Sequence, residues 1–470
     1  MLKYAGSMAR YPARALFGWY LSVIVLGGVV LSLPIARAPA AEPIRLIDAL
    51  FTSTSAVCVT GLTVRSTGQA FSPFGQGVIL LLFQFGGIGI MTLTTFTALA
   101  LTGHASLRQF ATISETLGVK PSERLARVLV RVIGVTLAFE AVGVAALMPR
   151  FLGEGQPAGQ ALWQATFHSV SAFCNAGFGL YDDSLVRYQG DAWVNIIIML
   201  LIVVGGIGFP VLTDLGRHWP RREPGETYRA ALARGWDGWQ PTTKLVLIVT
   251  ASFIVVGALL ILVLEWHHGL ADMPWYRRPL VALFQSVTTR TAGFNTVPIE
   301  RFTSATLFIM ILWMFVGGGP CSTAGGSKVS TFGVLALLAW HRLLGHGQVI
   351  LFRRSIARAT VERAILTILL FVVFAIVGMA GILVAGEALL GGTGPQAHEF
   401  FLDAAFEVVS ALGTVGLSLG ITPTLSDGSK LFLMLLMFAG RLGPISVLLA
   451  VSRGERDAKL QYAKQEVLIG

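Results

Sequence analysis

The chain has 470 residues, of which 54% are hydrophobic and only 13% are charged, and its mean hydropathy is +0.71. A soluble domain usually carries about 25% charged residues, so this composition excludes an ordinary soluble protein. The net charge of +10 would suit a nucleic-acid-binding protein. Apolar stretches recur from end to end, however, and they predict an all-α polytopic membrane protein instead.

Eight apolar stretches follow one another along the chain in four pairs. The first members of the pairs are about residues 16–33, 125–148, 244–264 and 364–385. The second members are about residues 77–101, 194–215, 305–340 and 430–451. Each stretch is long enough to cross roughly 30 Å of hydrocarbon as a helix, so we predict eight transmembrane helices.

The basic residues lie in every second connection between these stretches. They cluster before residue 16, between 103 and 124, between 217 and 240, between 342 and 363, and after 452. This is the positive-inside pattern, and it predicts a multi-pass protein of the cell membrane with both termini in the cytoplasm. Such basic segments also suit contact with anionic membrane lipids.

A repeated segment separates the two members of each pair. It contains x-Ala-x-Phe, then Ser or Thr four residues after the Phe, and then a glycine, in residues 48–61, 164–177, 281–293 and 403–416. The interval from Phe to glycine is 10, 10, 9 and 10 residues. Only about three helical turns fit before the first glycine, which favours a short re-entrant pore helix. We expect Asp48 and Asp403 to be its N-caps in their repeats.

A second landmark recurs in the second member of each pair. Glycine clusters begin at Gly86, Gly205, Gly317 and Gly440, which are 25, 28, 24 and 24 residues after the glycine of the repeated segment. Close helix packing explains a single cluster but does not by itself predict four at matched spacing. We therefore predict four span–pore helix–span repeats around a central pseudo-fourfold pore. The repeats are residues 1–102, 103–216, 217–341 and 342–470, the last with a cytoplasmic C-terminal tail.

The four strings that end in the repeated glycine are the candidate selectivity filter. They are Cys58, Val59, Thr60, Gly61; Cys174, Asn175, Ala176, Gly177; Arg290, Thr291, Ala292, Gly293; and Gly413, Thr414, Val415, Gly416. Glycine reaches backbone angles that other residues avoid, so such strings can direct carbonyl oxygens at one axis, as potassium filters do. The predicted K⁺ ligands are the backbone carbonyls of Val59, Thr60, Asn175, Ala176, Thr291, Ala292, Thr414 and Val415. A divalent-cation pore would favour a ring of Asp or Glu, and the strings contain neither.

Three stretches carry a resemblance to a known family. Residues 54–63, 289–296 and 318–328 are similar to motifs of the Trk/Ktr/HKT superfamily of potassium transporters, and the chain resembles its KtrB branch. The resemblance implies potassium uptake rather than an enzyme, with K⁺ as the transported ion and no organic cofactor on this chain. It leaves a dependence on Na⁺ open. It also implies a homodimer, with the C-terminal tail at its interface, and a cytosolic KtrA-like nucleotide-binding regulatory ring.

The resemblance also bears on ion selectivity. In the plant relatives, a serine in place of the first filter glycine tends to accompany sodium selectivity, and all four glycines are present here. The alternative is a sodium-conducting or weakly selective monovalent cation transporter. A membrane enzyme would need clustered acids, histidines or metal ligands, and the sequence offers no such cluster and no G-x-G-x-x-G string after a strand.

Residues 317–328 interrupt the second apolar stretch of the third repeat. They are Gly317, Gly318, Gly319, Pro320, Cys321, Ser322, Thr323, Ala324, Gly325, Gly326, Ser327 and Lys328. So many glycines and a proline make a continuous helix improbable. The resemblance implies an intramembrane gating loop, and the alternative is a static kink. The basic connections 217–240 and 342–363 are the candidate docking surfaces for the cytosolic partner.

Several polar residues lie at membrane depth. Arg441 occupies a position where the other repeats have glycine, at a cost of about 2.5–3.5 kcal/mol on insertion scales. The resemblance implies a positive charge below the filter that limits ion passage, and the alternative is a structural ion pair. We expect Arg290 to point away from the pore and to hydrogen-bond carbonyls. We expect Glu140, His168 and Glu407 to brace pore helices or join helices.

Overall fold

The computed structural model describes residues 12–102, 125–218, 226–390, 395–444 and 447. It is mostly helical, as predicted, apart from one short hairpin in which β1 (Ile350–Leu351) pairs antiparallel with β2 (Arg354–Ser355). The predicted C-terminal tail after residue 452 lies outside the described residues. Four short 3₁₀ turns lie in connections, at Pro34–Ala36, Val186–Tyr188, Ile299–Arg301 and Thr422–Thr424.

The α-helices of the first half of the chain follow the order long helix, motif-bearing helix, further apolar helix. The first predicted repeat contains α1 (Pro12–Ser32), α2 (Leu46–Val57), the single-turn α3 (Thr67–Ala70) and α4 (Pro73–Thr102). The second contains α5 (Leu125–Leu152), α6 (Ala158–Cys174), α7 (Ala192–Ile207) and α8 (Phe209–Arg217).

The second half keeps this order. The third predicted repeat contains α9 (Tyr228–Gly238), α10 (Pro241–Glu265), α11 (Arg278–Thr288), α12 (Ser304–Met314) and α13 (Val329–Leu343). The fourth contains α14 (Arg358–Leu390), α15 (Pro395–Gly413) and α16 (Asp427–Leu442). In every case the motif-bearing helix ends within two residues of the start of a predicted filter string or inside it.

Among the described residues, three helices are long and apolar enough to cross a membrane: Val130–Leu152, Pro241–Glu265 and Arg358–Ala385. A fourth span results if α7 and α8 count as one, although they are bent by 96°. The expectation of an unbroken helix over residues 194–215 is therefore wrong. The physical reason is Gly208, whose φ of 96° and ψ of 146° are accessible essentially to glycine alone, followed by Pro210 in the first turn of α8.

The expected N-caps are also wrong. Helix α2 begins at Leu46, so Asp48 lies in its first turn, and α15 begins at Pro395, so Asp403 lies well inside the helix. The buried Asp48 carboxylate instead accepts a hydrogen bond from Lys430 Nζ at 3.1 Å. This ion pair joins α2 of the first predicted repeat to α16 of the last.

The repeated x-Ala-x-Phe motif forms the packed centre of the protein. Its members, Ala49, Phe51, Ala165, Phe167, Ala282, Phe284, Ala404 and Phe406, are all fully buried. One core cluster combines residues of the first, second and fourth predicted repeats, another those of the second and third, and a further one those of the third and fourth. Neighbouring predicted repeats therefore share their hydrophobic cores, and the chain closes on itself.

The glycine clusters place further helices directly against the motif-bearing helices. A Cβ atom added at Gly86, Gly205 or Gly440 would lie 2.1, 1.9 or 1.9 Å from the carbonyl oxygen of Val57, Phe173 or Leu412, respectively. Those carbonyls belong to the last turns of α2, α6 and α15. Close packing thus explains the first glycine of three clusters, and the recurrence follows from a repeated helix contact.

This contact makes a stability prediction. Replacing Gly440 with alanine should lower the free energy of unfolding by about 1–3 kcal/mol, because a backbone carbonyl cannot yield to the added methyl group. The measurement is the fraction of detergent-purified protein that stays monodisperse after heating. The matched control is Gly134→Ala in α5, where no heavy atom lies within 4 Å of the added Cβ. Equal heat resistance of the two variants would contradict the packing argument.

Candidate ion pathway

The four predicted filter glycines meet at one point. A Cβ atom added at Gly61 would lie 2.9 Å from Gly177 Cα, and one added at Gly177 would lie 3.0 Å from Gly293 Cα. The corresponding distances are 3.2 Å from Gly293 to Gly416 Cα and 3.0 Å from Gly416 to Gly61 Cα. The strings therefore contact one another in the cyclic order of the predicted repeats, and no side chain fits at the contact.

Each string bends through two residues with positive φ. The residue two before the glycine has φ between 51° and 67°, namely Val59, Asn175, Thr291 and Thr414. The glycines themselves have φ of 95°, 70°, 76° and 91°. Non-glycine residues rarely adopt this conformation, and its repetition at four matched positions marks a backbone held in place by its surroundings.

The carbonyl before each glycine lies against the neighbouring string. The oxygens of Ala176 and Val415 are each 2.6 Å from a Cβ added at Gly61 and Gly293, respectively. Those of Ala292 and Thr60 are 3.0 and 2.0 Å from a Cβ added at Gly177 and Gly416. These four carbonyls, all among the predicted K⁺ ligands, form a closed ring.

The repeated Ser or Thr holds each string against its helix. The backbone N–H before the glycine donates to the carbonyl of that residue, as in Thr60 to Ser55 and Ala176 to Ser171, both at 2.8 Å. The third string is one residue shorter, and the same bond still forms from Ala292 to Thr288 at 3.0 Å. The third string therefore makes this turn with one residue fewer, and its glycine still reaches the ring.

The hydroxyl of the same Ser or Thr makes a second brace. Ser55 and Ser410 accept from the N–H of Gly61 and Gly416, each at 3.1 Å. In the other two repeats, the hydroxyls donate to carbonyls just beyond the glycine: Ser171 to Phe178 at 2.7 Å and Thr288 to Phe294 at 2.6 Å. The motif residue that the sequence marks by its recurrence therefore fixes the backbone around the glycine.

Three threonine hydroxyls of the strings, unlike the hydroxyl braces, make no hydrogen bond to the described protein. The Oγ1 atoms of Thr60, Thr291 and Thr414 are buried and have no hydrogen-bond partner in the described protein. Burying a hydroxyl without a partner is costly, so such oxygens mark either strain or a functional position. Sequence reasoning missed this feature, because it emerges only when the strings are packed together.

A cavity of about 510 Å³ reaches all four filter glycines. Its wall also contains Asp182, Asp183 and Glu300 together with one base, Arg65. Arg65 Nε lies 3.5 Å from Asp48, so the buried Asp48–Lys430 pair extends to the cavity wall. By the predicted topology this cavity is on the outer side. Sequence reasoning missed this pair, whose signal was limited to charges at the edges of apolar stretches.

The loop between α12 and α13 lies on the other side of the strings. Helix α12 ends at Met314 and α13 begins at Val329, so the prediction of a non-helical segment over 317–328 is confirmed. Thr323 Oγ1 donates to the carbonyl of Phe173 at 3.1 Å, at the end of α6 and next to the second string. Lys328 Nζ folds back onto its own loop and donates to Ala324 O at 2.7 Å.

Arg441 bridges this loop to the first predicted repeat. Its buried guanidinium donates to the carbonyl of Thr323 and to that of Gly86, the latter at 2.7 Å. Both partners are backbone carbonyls, so the alternative of an ion pair with a carboxylate is wrong for the described residues. The hydroxyl of Ser322 does not take part, since it donates to Ala324 O at 3.5 Å.

The remaining polar residues make the contacts expected of braces. Arg290 Nη2 donates to Gly317 O at 3.1 Å. His168 Nδ1 contacts Gln164 O of its own helix at 2.8 Å, and its Nε2 accepts from the N–H of Leu180 beyond the second string at 3.5 Å. Glu140 accepts from Gln84 Nε2 at 3.0 Å and from Cys174 Sγ at 3.8 Å.

Glu407 accepts from Ser418 Oγ and from Thr422 Oγ1, the latter at 2.9 Å, and thereby ties α15 to the segment that follows its string. Cys58, Cys174 and Cys321 form no disulfide bond in the described part of the chain. Within the described ranges, no group of three or more His, Cys, Asp or Glu residues could hold a metal ion.

The hydroxyl braces make a selectivity prediction. Ser410→Ala should reduce the preference for K⁺ over Na⁺ by a factor of about 2–10, because one buried hydrogen bond is worth roughly 0.5–1.5 kcal/mol. The measurement is the ratio of K⁺ to Na⁺ flux into proteoliposomes. The control is Ser22→Ala, whose exposed hydroxyl bonds only the Gly18 carbonyl of its own helix. An unchanged ratio in Ser410→Ala would show that the brace is dispensable.

Known proteins resemble this chain both in sequence and in fold. Residues 29–461 match the family model described as TrkH, cation transport protein. The chain is 35% identical over 454 residues to Ktr system potassium uptake protein B of Vibrio alginolyticus, covering 96% of this chain and 93% of that protein. It is 34% identical over 467 residues to Ktr system potassium uptake protein D of Bacillus subtilis, covering 98% of each.

A third relative, potassium/sodium uptake protein NtpJ of Enterococcus hirae, is 31% identical over 463 residues, covering 98% of this chain and 97% of that protein. The fold is similar to that of the potassium transporter TrkH from Vibrio parahaemolyticus, with a TM-score of 0.68 at 21% identity over 92% of this chain and 84% of that chain. The family resemblance drawn from the motifs is thereby confirmed, and the chain belongs to the TrkH family of cation transport proteins.

Proposed function

We propose that this chain is the membrane-embedded, ion-conducting subunit of a potassium uptake system. The observation that carries the proposal is the closed ring of Gly61, Gly177, Gly293 and Gly416, with one backbone carbonyl beside each glycine. Two relatives with more than 30% identity are named Ktr system potassium uptake proteins. K⁺ is the substrate and passes through the ring.

The chemistry of the ring suits a dehydrated monovalent cation. A bare ion in hydrocarbon costs tens of kcal/mol in a Born estimate, so oxygen dipoles must replace its water. Here backbone carbonyls supply them, and the unpartnered hydroxyls of Thr60, Thr291 and Thr414 add further oxygens. The C-terminal ends of α2, α6, α11 and α15 add partial negative charge near the strings.

The architecture that goes with this function has eight spans and four re-entrant pore helices around a pseudo-fourfold pore. In this count α7 with α8 makes one span, and α12 with the loop and α13 makes another. The predicted repeats 1–102, 103–216, 217–341 and 342–470 each contribute one string. The protein crosses the cell membrane, and both of its termini are in the cytoplasm.

A weakly selective monovalent cation transporter is the second candidate function. One observation favours it: the relative from Enterococcus hirae is named a potassium/sodium uptake protein. Against it stands the presence of glycine at all four filter positions. The ratio of K⁺ to Na⁺ flux through the purified protein decides between the two candidates.

The loop 317–328 and Arg441 form the proposed gate on the cytoplasmic side of the ring. A cation leaving the ring meets the loop backbone and then a guanidinium that is bonded to Thr323 O and Gly86 O. Opening breaks the bond between Arg441 and Thr323 and withdraws the loop. Because the loop has no helical hydrogen bonds of its own to lose, it moves at lower cost than a continuous helix.

The proposed partners are a second copy of the chain and a cytosolic nucleotide-binding ring. Support comes from the relatives' names, which describe them as proteins of a Ktr system. The connections 217–240 and 342–363 remain the proposed docking surfaces, and Arg229, Arg353, Arg354 and Arg358 are exposed on their described parts. Dependence of uptake on Na⁺ stays open.

The filter assignment is tested by serine substitution. Gly61→Ser should lower the preference for K⁺ over Na⁺ by about tenfold, because the new Cβ would lie 2.6 Å from Ala176 O and 2.9 Å from Gly177 Cα. The measurement is ion flux into proteoliposomes for this variant and for the equivalent variants of Gly177, Gly293 and Gly416.

The matched control for that series is Gly155→Ser. Gly155 also has a positive φ, of 79°, but no heavy atom lies within 4 Å of an added Cβ. It therefore carries the same backbone strain outside the ring and should keep the wild-type flux ratio. If all four ring variants keep the wild-type preference for K⁺ over Na⁺, these residues do not form the filter.

The gate is tested by shortening the loop. Deleting residues 323–325 removes the carbonyl that Arg441 bonds, and it should raise K⁺ flux through the purified chain by about tenfold with no partner protein added. Removal of the exposed residues 345–347 is the control and should leave flux unchanged. If folded, membrane-inserted protein with the shortened loop conducts no faster than the control, the segment is structural rather than a gate.

A further inference from the structure

The break between α7 and α8 is occupied by a segment from another predicted repeat. Gly208 forms the break, with φ of 96° and ψ of 146°. A Cβ atom added there would lie 2.3 Å from the carbonyl oxygen of Pro320 in the loop 317–328. The helix pair of the second predicted repeat and the loop of the third therefore touch at the one residue where the helix changes direction.

Backbone hydrogen bonds join the two segments at the break. In a continuous helix the N–H of Phe209 would bond the carbonyl of Gly205. Here Phe209 N–H donates to Cys321 O at 3.1 Å, and Gly205 O accepts from Thr323 N–H at 3.2 Å. Gly206 O accepts from Gly319 N–H at 2.7 Å.

The bend separates the N–H of Phe209 from the carbonyl of Gly205, and the loop supplies a hydrogen-bond partner to each of them. Buried backbone N–H and C=O groups are costly to leave unpaired. The bent helix keeps its hydrogen bonds only while the loop is in place, and the loop keeps three of its own only while the helix is bent. The two conformations stabilise each other.

Helix α8 extends from this contact toward the predicted cytoplasmic side. Its buried Val211 packs in one cluster with Val316 and Val329, which flank the loop at its two ends. Near the end of α8, the buried Asp214 accepts from the N–H of Gln240 at 2.9 Å, at the start of α10. Helix α8 leads directly into residues 219–225, part of a predicted cytoplasmic connection.

We propose that α8, pivoting at Gly208, is a latch that holds the loop 317–328 closed. Gly208 is then a positioning residue of the gate, although it lies in a different repeat from the loop. Displacement of α8 from the cytoplasmic side straightens or shifts the break and withdraws the three hydrogen-bond partners from the loop. The inference rests on the proposed function only in that it takes the loop to be the gate.

The test measures loop release and ion flux separately. Loop release is the rate at which a small maleimide labels Cys321 in the full chain in proteoliposomes, followed by mass spectrometry of the Cys321 peptide. Cys321 is partly exposed, whereas Cys58 and Cys174 are buried, so the reaction reports on the loop. Flux is K⁺ uptake into the same proteoliposomes without any partner protein.

The first variant is Gly208→Ala, and its control is Gly216→Ala in the same helix. An added Cβ at Gly216 has no heavy atom within 4 Å. We expect Gly208→Ala to raise the labelling rate of Cys321 at least fivefold and to raise K⁺ flux, while Gly216→Ala changes neither. Combined with the deletion of residues 323–325, Gly208→Ala should add no further flux, because the latch then has no loop to hold.

A second pair of variants decides the matter if Gly208→Ala does not fold. Phe209→Pro removes the N–H that bonds Cys321 O, and proline is well tolerated at the first position of a helix. Phe209→Ala removes the same ring but keeps the N–H. We expect faster labelling of Cys321 in Phe209→Pro than in Phe209→Ala.

The outcomes separate the latch from the gate. Equal labelling in Phe209→Pro and Phe209→Ala, or unchanged labelling in folded Gly208→Ala, overturns the latch even where the shortened loop raises flux. Faster labelling with unchanged flux supports the latch and overturns the loop as the gate. Faster labelling with higher flux supports both.

Discussion

The structure depends on the approach of four backbone strings to van der Waals distance at four glycines. At this contact there is no room for a Cβ atom, and the carbonyl before each glycine faces its neighbour. Under the proposed function the constraint comes from the ion, since a cation in hydrocarbon needs oxygen ligands from several directions at once. A single chain meets it by contributing one string from each of four segments that are about 116–123 residues apart.

The surrounding helices hold the four strings in contact. Glycines at 86, 205 and 440 bring further helices onto the last turns of α2, α6 and α15, and recurring hydroxyls tie each string to its own helix. The buried pair between Asp48 and Lys430 joins the first and last segments. Breaking one member of such a pair leaves an uncompensated buried charge, so the pair favours a closed arrangement over an open one.

Below the strings the pseudo-symmetry is broken in a systematic way. The third segment has a loop where a helix would continue, the second has a bend at Gly208, and the fourth has Arg441 in place of glycine. The loop contacts both of the other departures: backbone hydrogen bonds join it to the bend, and the guanidinium of Arg441 donates to its Thr323 carbonyl. Under the proposed function, a fourfold arrangement suits selection of an ion, whereas control of its passage requires distinct parts, and the proposed gate is built from these differences between segments.

Composition, recurrence and glycine content are local properties, and they were enough to predict the membrane class, the four motif-bearing segments, the candidate filter strings and the non-helical loop. The sequence also identified Arg441 and Arg290 as residues that need partners. The sequence did not reveal that Asp48 pairs with Lys430, that helix 194–215 breaks at Gly208, or that Arg441, besides a carbonyl of the loop, also bonds that of Gly86. Those features join residues up to several hundred positions apart, and only tertiary packing decides which buried donor meets which acceptor.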